Sequence, residues 1–525
     1  MYELVKEARS ENGYYYIASE HFRLKLRQRA AYPRTYSQTD RSHVVCGYGP
    51  DKPSAGDEFL RVTYDERDGL YIKRDLYCTL PLFYGFSEGI FVASNAYDAV
   101  MEALPSLTLN PEALRKTLRG IHTTHDVLWN EVGVLGEREM LSVQYGIMIK
   151  TEASQRPWQY NDQLAATDPY LFPHILDEAL DRFTETRLRD ATVGFEISGG
   201  LDSAILPLFL AARRHSLPRI AATKILPDPD RQPQLSKLNA IEVAAAIPTF
   251  RTTLGSQQDH PLVQVEEEGT LRHSFHPMHG LYEASTVRIA EHFQAAGISV
   301  AITGGGGDEL FEHNVSPHAK RQLHSPAQRQ DFWSHRCYAP PANHPMRNLL
   351  SVNVVAANIG HSNSYIERDI WPVSPFYDLR LFNFCQALPI QFRHQKRMLR
   401  IYAASHHYPH DLYEGPGESF NNFFNACMLS PHFAQLIETL SQGSLTEGLG
   451  FIDSKRLRRR YELIRRQLDT GSLFAYYCWL CCELNLRLAA RTGQWVPSTD
   501  ITHKQGRQRT IDQLIGQLSI ATRLV

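Results

Sequence analysis

Val193-Gly194-Phe195-Glu196-Ile197-Ser198-Gly199-Gly200-Leu201-Asp202-Ser203-Ala204-Ile205 is the stretch from which the fold is read. It opens as a short, mostly apolar run of buried-strand length and turns through adjacent glycines. It then continues as a helix carrying Leu206, Leu208, Phe209 and Leu210. Neighbouring glycines let the backbone take positive φ and come close to an anion. The hydroxyls of Ser198 and Ser203 and the free N–H groups of a new helix are donors that suit a phosphate. Asp202 would repel a bare phosphate, so its presence argues for Mg2+ bridging carboxylate and phosphate oxygens. The turn lacks the Lys-Ser/Thr pair that closes Walker-type loops, which separates it from the phosphoryl-transfer enzymes that use them. An ordinary turn with a capping serine would not need strand, turn, carboxylate and helix in this order.

Working outward, residues 173–189 read as a helix with Ile175, Leu176, Leu180 and Phe183 at helical spacing. Residues 219–226 read as a second strand, 236–246 as a helix and 248–253 as a third strand. Strands alternating with helices imply a parallel sheet, and such sheets bind ligands at the carboxyl ends of their strands. A later helix through Tyr282, Val287, Ile289 and Ala290 leads to a strand over 298–303, which runs into Gly304-Gly305-Gly306-Gly307-Asp308-Glu309-Leu310-Phe311. This second glycine turn offers another close approach to an anion and lets Asp308 share a metal with Asp202. Taken alone, Asp308 would serve equally well as a cap for the next helix.

Ser198-Gly199-Gly200-Leu201-Asp202-Ser203 resembles the pyrophosphate loop of the asparagine synthetase superfamily. Members of that superfamily split ATP between its α and β phosphates to make an acyl adenylate. The second turn resembles the superfamily's Gly, variable, Gly, small, Asp-Glu-Leu-Phe loop, with Gly305 at the variable and Gly307 at the small position. Pro375-Phe376-Tyr377-Asp378 and Lys396-Arg397-Met398-Leu399-Arg400 resemble its Pro-Phe-x-Asp and Lys-x-x-x-Arg region. The resemblance implies ATP held across Ser198 to Ser203 and Gly304 to Gly307, and Mg2+ held by Asp202 and Asp308. Glu309, Tyr282 and Glu283 are candidates to assist deprotonation of an attacking amine. One departure stands out: the superfamily's lysine in the loop after that region is missing from Tyr413-Glu414-Gly415-Pro416-Gly417-Glu418-Ser419. Either Lys396, Arg397 or Arg400 supplies the charge, or the chemistry is altered.

Residues 1–150 carry short alternating stretches such as Tyr14-Tyr15-Tyr16-Ile17-Ala18, and read as a β-rich domain. Pro81-Leu82-Phe83-Tyr84 and Ile90-Phe91-Val92-Ala93-Ser94 resemble parts of a class II glutamine amidotransferase domain, which implies an Ntn-type αββα fold. That family's nucleophile is a cysteine exposed directly after Met1, where this chain has Tyr2, so glutamine hydrolysis of that kind is excluded and a scaffold or docking role is expected. Residues 151–170 read as a linker, and 171–525 as a doubly wound parallel-sheet domain, resembling the adenine-nucleotide α-hydrolases, with a helical C-terminal part.

The 525 residues suffice for two or three domains. Fifty-five basic against 57 acidic residues give no pull towards nucleic acid or an anionic membrane. No apolar run reaches the length of a membrane span, and a cytoplasmic protein is expected. The eight scattered cysteines suit a reducing compartment, and Cys478, Cys481 and Cys482 read as buried helical thiols. His273, His276 and His279 are spaced like metal ligands, but Pro277 breaks the helix that would align them.

Without the cysteine nucleophile, the amine belongs to the substrate or to a second substrate. In overall look the chain resembles a lasso peptide cyclase. That implies joining a precursor peptide's N-terminal amine to an Asp or Glu side chain, together with a leader-binding protein and a leader peptidase. The alternatives are β-lactam-synthetase-like or asparagine-synthetase-like amide formation on a small molecule, and a decayed scaffold without catalysis. Thiolation of nucleic acid is disfavoured by the neutral charge balance.

Overall fold

The computed structural model describes residues 7–11, 14–18, 23–27, 33–39, 43–49, 59–65, 68–75, 79–119, 127–136, 139–144, 147–152, 168–189, 191–213 and 219–256. Beyond these it describes 258–262, 277, 281–311, 361–388, 392, 396–413, 420–467 and 473–496. The triad His273, His276 and His279 lies outside the described residues.

The first part is built from antiparallel strands. β1 (Glu7–Glu11), β2 (Tyr14–Ala18) and β3 (Arg23–Arg27) form a small sheet. β4 (Thr35–Thr39), β5 (His43–Tyr48), β6 (Leu60–Asp65) and β7 (Gly69–Arg74) belong to a six-stranded one. β8 (Phe83–Ser87), β9 (Ile90–Ser94) and β10 (Val132–Val134) form a third sheet. β11 (Glu139–Gln144) and β12 (Ile147–Glu152) complete the six-stranded sheet in the order β12-β11-β7-β6-β5-β4. β6 shows why these stretches are strands: Leu60, Val62 and Tyr64 turn inward while Arg61, Thr63 and Asp65 alternate outward. α1 (Tyr97–Ala103) packs on β8, where a side chain at Gly85 would meet Leu104 Cδ1 at 2.6 Å. α2 (Pro111–Leu118) starts from a capping Asn110 and a proline that fits the first helical position.

The second part is an open parallel sheet. α3 (Phe172–Phe183) precedes it and buries Ile175, Leu176, Leu180 and Phe183. The helix expected over 173–189 is α-helical only to Phe183 and π-helical over Thr184–Leu188. The hydroxyls of Thr184 and Thr186 donate to Leu180 O and Arg182 O at 2.8 and 2.7 Å, competing with the backbone ladder where the helix widens. Strands β13 (Val193–Glu196), β14 (Arg219–Ile225), β15 (Thr249–Thr253), β16 (Val300–Ile302) and β17 (Trp371–Val373) pair in the order β15-β14-β13-β16-β17, all parallel. The order reverses direction between β13 and β16, so a crevice opens at their carboxyl ends.

Helices cover both faces of this sheet. α4 (Leu201–Ala212) and α5 (Arg231–Ala245) share the main core with α3 and Phe195. α6 (Glu283–Ala295) lies on the other face, with Ile289, Ala290 and Phe293 against Ala222 and Ala301. Gly194 lets α6 sit close, since a Cβ there would be 2.8 Å from the Phe293 ring. A one-turn α7 (Gly307–Phe311) follows β16.

The remainder is helical: α8 (Leu379–Ala387), α9 (Arg397–Ser405), α10 (Phe420–Met428), α11 (Pro431–Ser441), α12 (Leu445–Gly448), α13 (Ser454–Gln467) and α14 (Leu473–Arg491). α14 is apolar nearly all round and buried nearly throughout, including Cys478, Cys481 and Cys482. Burial alone pushes the Cys481 thiol up to about 12 despite bonds that oppose it, so it packs as a neutral group. Just after α14, Leu107 N donates to Gln494 O at 2.8 Å, Gln494 Nε2 donates to Leu104 O at 2.8 Å, and Trp495 meets Trp129 at 5.9 Å. The chain's last described helix thus closes on the β-rich part. Among the described residues no helix is long and apolar enough to cross a membrane.

Candidate functional site

The turn after β13 is organised by its own serines. Ser198 N donates to Ser203 Oγ at 3.0 Å, Gly200 N donates to Ser198 Oγ at 3.1 Å, and Ser203 Oγ donates to Gly200 O at 3.1 Å. The two hydroxyls lie 3.2 Å apart. These bonds brace the loop from within. Gly199 has φ 91°, a conformation that favours glycine. Gly200, at the N-cap of α4, has φ −76° and ψ 156°, which any residue can adopt. The nearest atom to a Cβ placed there is Ser198 Oγ at 3.1 Å, and no other lies within 4 Å. Its lack of a side chain therefore keeps open space in front of the helix.

The second loop comes against the first. Thr303 N donates to Val373 O at 2.9 Å and Ser374 Oγ to Gly305 O at 2.5 Å, so β17 holds the turn in place. A Cβ at Gly304 would lie 3.2 Å from Ser203 N, and one at Gly307 2.6 Å from Asp202 Cγ. Gly306 has φ 85° and faces Tyr377. The contact between the loops thus leaves no room for a side chain at 307 and little at 304. Asp308 and Glu309 lie in α7, and their side chains are outside the described residues.

Three cations compete to replace the missing loop lysine, and the fold separates them. Lys396 has φ 55°, ends the connection before α9, and bonds through Nζ to the Asp202 carboxylate. Both side chains are mostly buried, at 19% and 11% exposure. Arg400 Nη1 donates to Tyr413 O at 2.6 Å and so holds the start of the loop in which the lysine is missing; residues 414–419 are outside the described residues. Arg397 is exposed, with its guanidinium 5.5 Å from the Phe392 ring.

Tyr282 caps α6 with φ 60°, and its hydroxyl donates to Phe420 O at 3.0 Å. Its ring lies against Phe420 and Phe423 of α10, and burial pushes its pKa well above the usual tyrosine value. These contacts tie α6 to α10 and keep the phenol protonated. Glu283 begins α6 beside it.

A group that sequence reading passed over lies beneath the first loop. Glu196 Oε1 accepts from Lys224 Nζ at 2.5 Å and Oε2 from Tyr365 OH at 2.6 Å. Burial alone would raise the Glu196 pKa, but the Lys224 and His361 charges with the bonds from Lys224 and Tyr365 outweigh it and hold the carboxyl at about 2. His361, whose Nε2 lies 3.4 Å from Leu281 O, is pushed down to about 4 by burial and then by Lys224. The signal was present: a lone carboxylate in β13 and a lone ammonium in β14, opposite charges in neighbouring apolar strands, must pair if buried.

Residues 175–358 match the model of the family described as Asparagine synthase. The match supports the asparagine synthetase superfamily for the parallel-sheet part, whose mixed α/β architecture fits the synthetase fold. It implies an ATP-dependent ligase that forms amides. It begins after the β-rich part, so the resemblance of that part to glutaminases rests on its sequence motifs. No curated protein matches the chain. Among solved structures, the U34-tRNA thiolase NcsA from Methanococcus maripaludis with its 4Fe-4S cluster is similar at 10% identity over 57% of this chain and 80% of that one. Its TM-score is 0.25.

Proposed function

We propose that this chain activates a carboxylate with ATP as an acyl adenylate and joins it to an amine, and that the substrate is a peptide closed into a macrolactam between its N-terminal amine and an Asp or Glu side chain. The observation that carries the reading is the meeting of two glycine loops at the carboxyl ends of β13 and β16, with Lys396 reaching Asp202 between them. Gly200 keeps the start of α4 free of a side chain, while the close contact of Gly304 with Ser203 and of Gly307 with Asp202 seats the second loop against the helix's first turn. A nucleotide triphosphate fits such a donor set. Asp202 and Asp308 are the residues that would hold Mg2+, which supplies charge neutralisation on the phosphates.

Each residue then has a role in this chain. Lys396 exchanges its Asp202 partner for the charge that develops as pyrophosphate leaves. Arg400 holds Tyr413 and with it the loop beside the site. Tyr282 sets α10 against α6, while Glu309 is the candidate to take the proton of the attacking amine. The peptide reading rests on the chain's resemblance to the lasso peptide cyclases, the Gly-x-Gly-Gly-Asp form of its second loop at Gly304–Asp308 included.

ATP–pyrophosphate exchange and AMP release with Mg2+ test the proposal, with candidate peptides and with small carboxylates, beside Asp202→Ala. The cyclase reading expects AMP release with a peptide and a product lighter by one water. AMP release only with a small carboxylate assigns small-molecule amide formation instead. No exchange with any carboxylate, unchanged by Asp202→Ala, sinks the catalytic reading.

A further inference from the structure

β13 and β14 separate where the nucleotide loop begins. Their last backbone bond runs from Ile197 N to Ala222 O at 2.9 Å, and Ser198 then turns away. The side chain of Gln234, on the first turn of α5, fills the gap and is fully buried. Its Nε2 donates to Ser198 O at 2.9 Å and to Lys224 O at 2.8 Å, while its Oε1 accepts from Leu226 N at 2.8 Å. Both amide hydrogens and the carbonyl are therefore used on backbone groups.

We infer that Gln234 is a positioning residue for the nucleotide: it continues the β13–β14 ladder with a side chain and fixes the loop at Ser198 relative to the crevice edge at Leu226. The inference rests on the reading of that loop as the ATP site. A strand end that diverges from its neighbour leaves carbonyl and N–H groups without ladder partners, and burial makes such groups costly unless something else satisfies them. Gln234 does so on both strands at once. Its own turn is anchored as well: Asp230 accepts from Asn422 Nδ2 at 2.9 Å, and Ser236 Oγ donates to Asp411 Oδ2 at 3.2 Å. The loop's position is thus referred to the helical part, where α10 and residues 410–412 lie.

The test uses Gln234→Met, which keeps the volume without the bonds, and Gln234→Glu, which sets a carboxylate against two carbonyl oxygens. The exposed neighbour Gln232→Met serves as control. Titration calorimetry with Mg-ATP is expected to show affinity at least ~10-fold weaker in both Gln234 variants, more in Gln234→Glu, with Gln232→Met like the wild type. Hydrogen exchange at the amides of residues 199–203 reads the same tether without nucleotide and is expected to be faster in Gln234→Met. Should Gln234→Met not fold, Gln234→Asn keeps the amide but shortens its reach, and the same two changes are expected. Wild-type affinity and wild-type exchange in a folded Gln234 variant, even one with a lower melting temperature, overturn the inference. Faster exchange in a protein whose wild type does not bind ATP upholds the tether and overturns the nucleotide reading instead.

Discussion

Two helices of this protein begin in opposite ways. α12 starts under the carboxylate of Glu483, which is fully buried and accepts from Leu445 N at 2.8 Å, Thr446 N at 3.1 Å, Thr446 Oγ1 at 2.9 Å and Ser444 Oγ at 3.0 Å. Arg487 Nε donates to the same carboxylate at 2.9 Å, and Ser444 Oγ caps Glu447 N at 3.2 Å. α4 starts at Gly200 with no side-chain cap, and the glycines at 304 and 307 keep side chains off its first turn. Helix N-termini favour negative charge in both places. At α12 the carboxylate comes from a distant helix and closes the N-terminus; at α4 the first turn carries its own Asp202, which is paired with Lys396 instead. The difference separates an N-terminus closed by the protein's own carboxylate from one that the proposed function assigns to phosphate.

Four experiments break or sharpen this contrast, in order of expected effect. Glu483→Gln removes the internal anion and leaves the Arg487 charge without its carboxylate, only backbone carbonyls remaining to it, so unfolding in urea should show a loss of about 3 kcal/mol. Mg-ATP affinity of the folded fraction should not change; if it does, the two helix ends are not independent. Gly307→Val drives a Cβ into Asp202, so pyrophosphate exchange should fall by about 100-fold or more, beyond the loss of about 1–3 kcal/mol of stability that overpacking brings. Activity like wild type would show that the two loops need not touch. Gly200→Ser adds a cap in an allowed backbone conformation, so stability should change by less than ~1 kcal/mol while ATP affinity drops about 10-fold. Tighter ATP binding in that variant would mean the open cap is not where phosphate sits.

The last experiment concerns pH and the groups under the open loop. His361 is held at about 4 against an ordinary 6.5, so the unfolded chain binds its proton more readily than the folded one. Stability should therefore fall as pH drops through 6.5 towards 4, by about 1 kcal/mol between pH 7 and 5.5. His361→Gln should flatten that slope in a melting series, whereas an unchanged slope would place the titration elsewhere. Glu196 acts at lower pH: its carboxyl is depressed from 4.5 to about 2, so its contribution is complete above 4.5 and is lost as pH falls towards 2.

Much of this was legible in the chain, and the reason is locality. The strand, glycine turn and helix of residues 193–212 are contiguous, so apolar spacing and glycine placement are enough to read them. The π-helical turn at Thr184–Leu188 was not, because the helical spacing of its apolar residues continues while threonine hydroxyls compete for the carbonyls. Glu483 gave no sign either, since a carboxylate within an apolar helix reads as an isolated charge until the start of α12 is folded beneath it.

The alternation of strands and helices and the two glycine loops are readable from the chain alone, because each depends on neighbours within a few residues. Only the tertiary structure decided that Lys396, 194 positions away, is the cation that meets Asp202. It likewise paired Glu196 with Lys224 and set Gln234 between Ser198 and Leu226. Those contacts depend on the order in which the strands assemble and on which charges are buried together, and neither is written in any single stretch of chain.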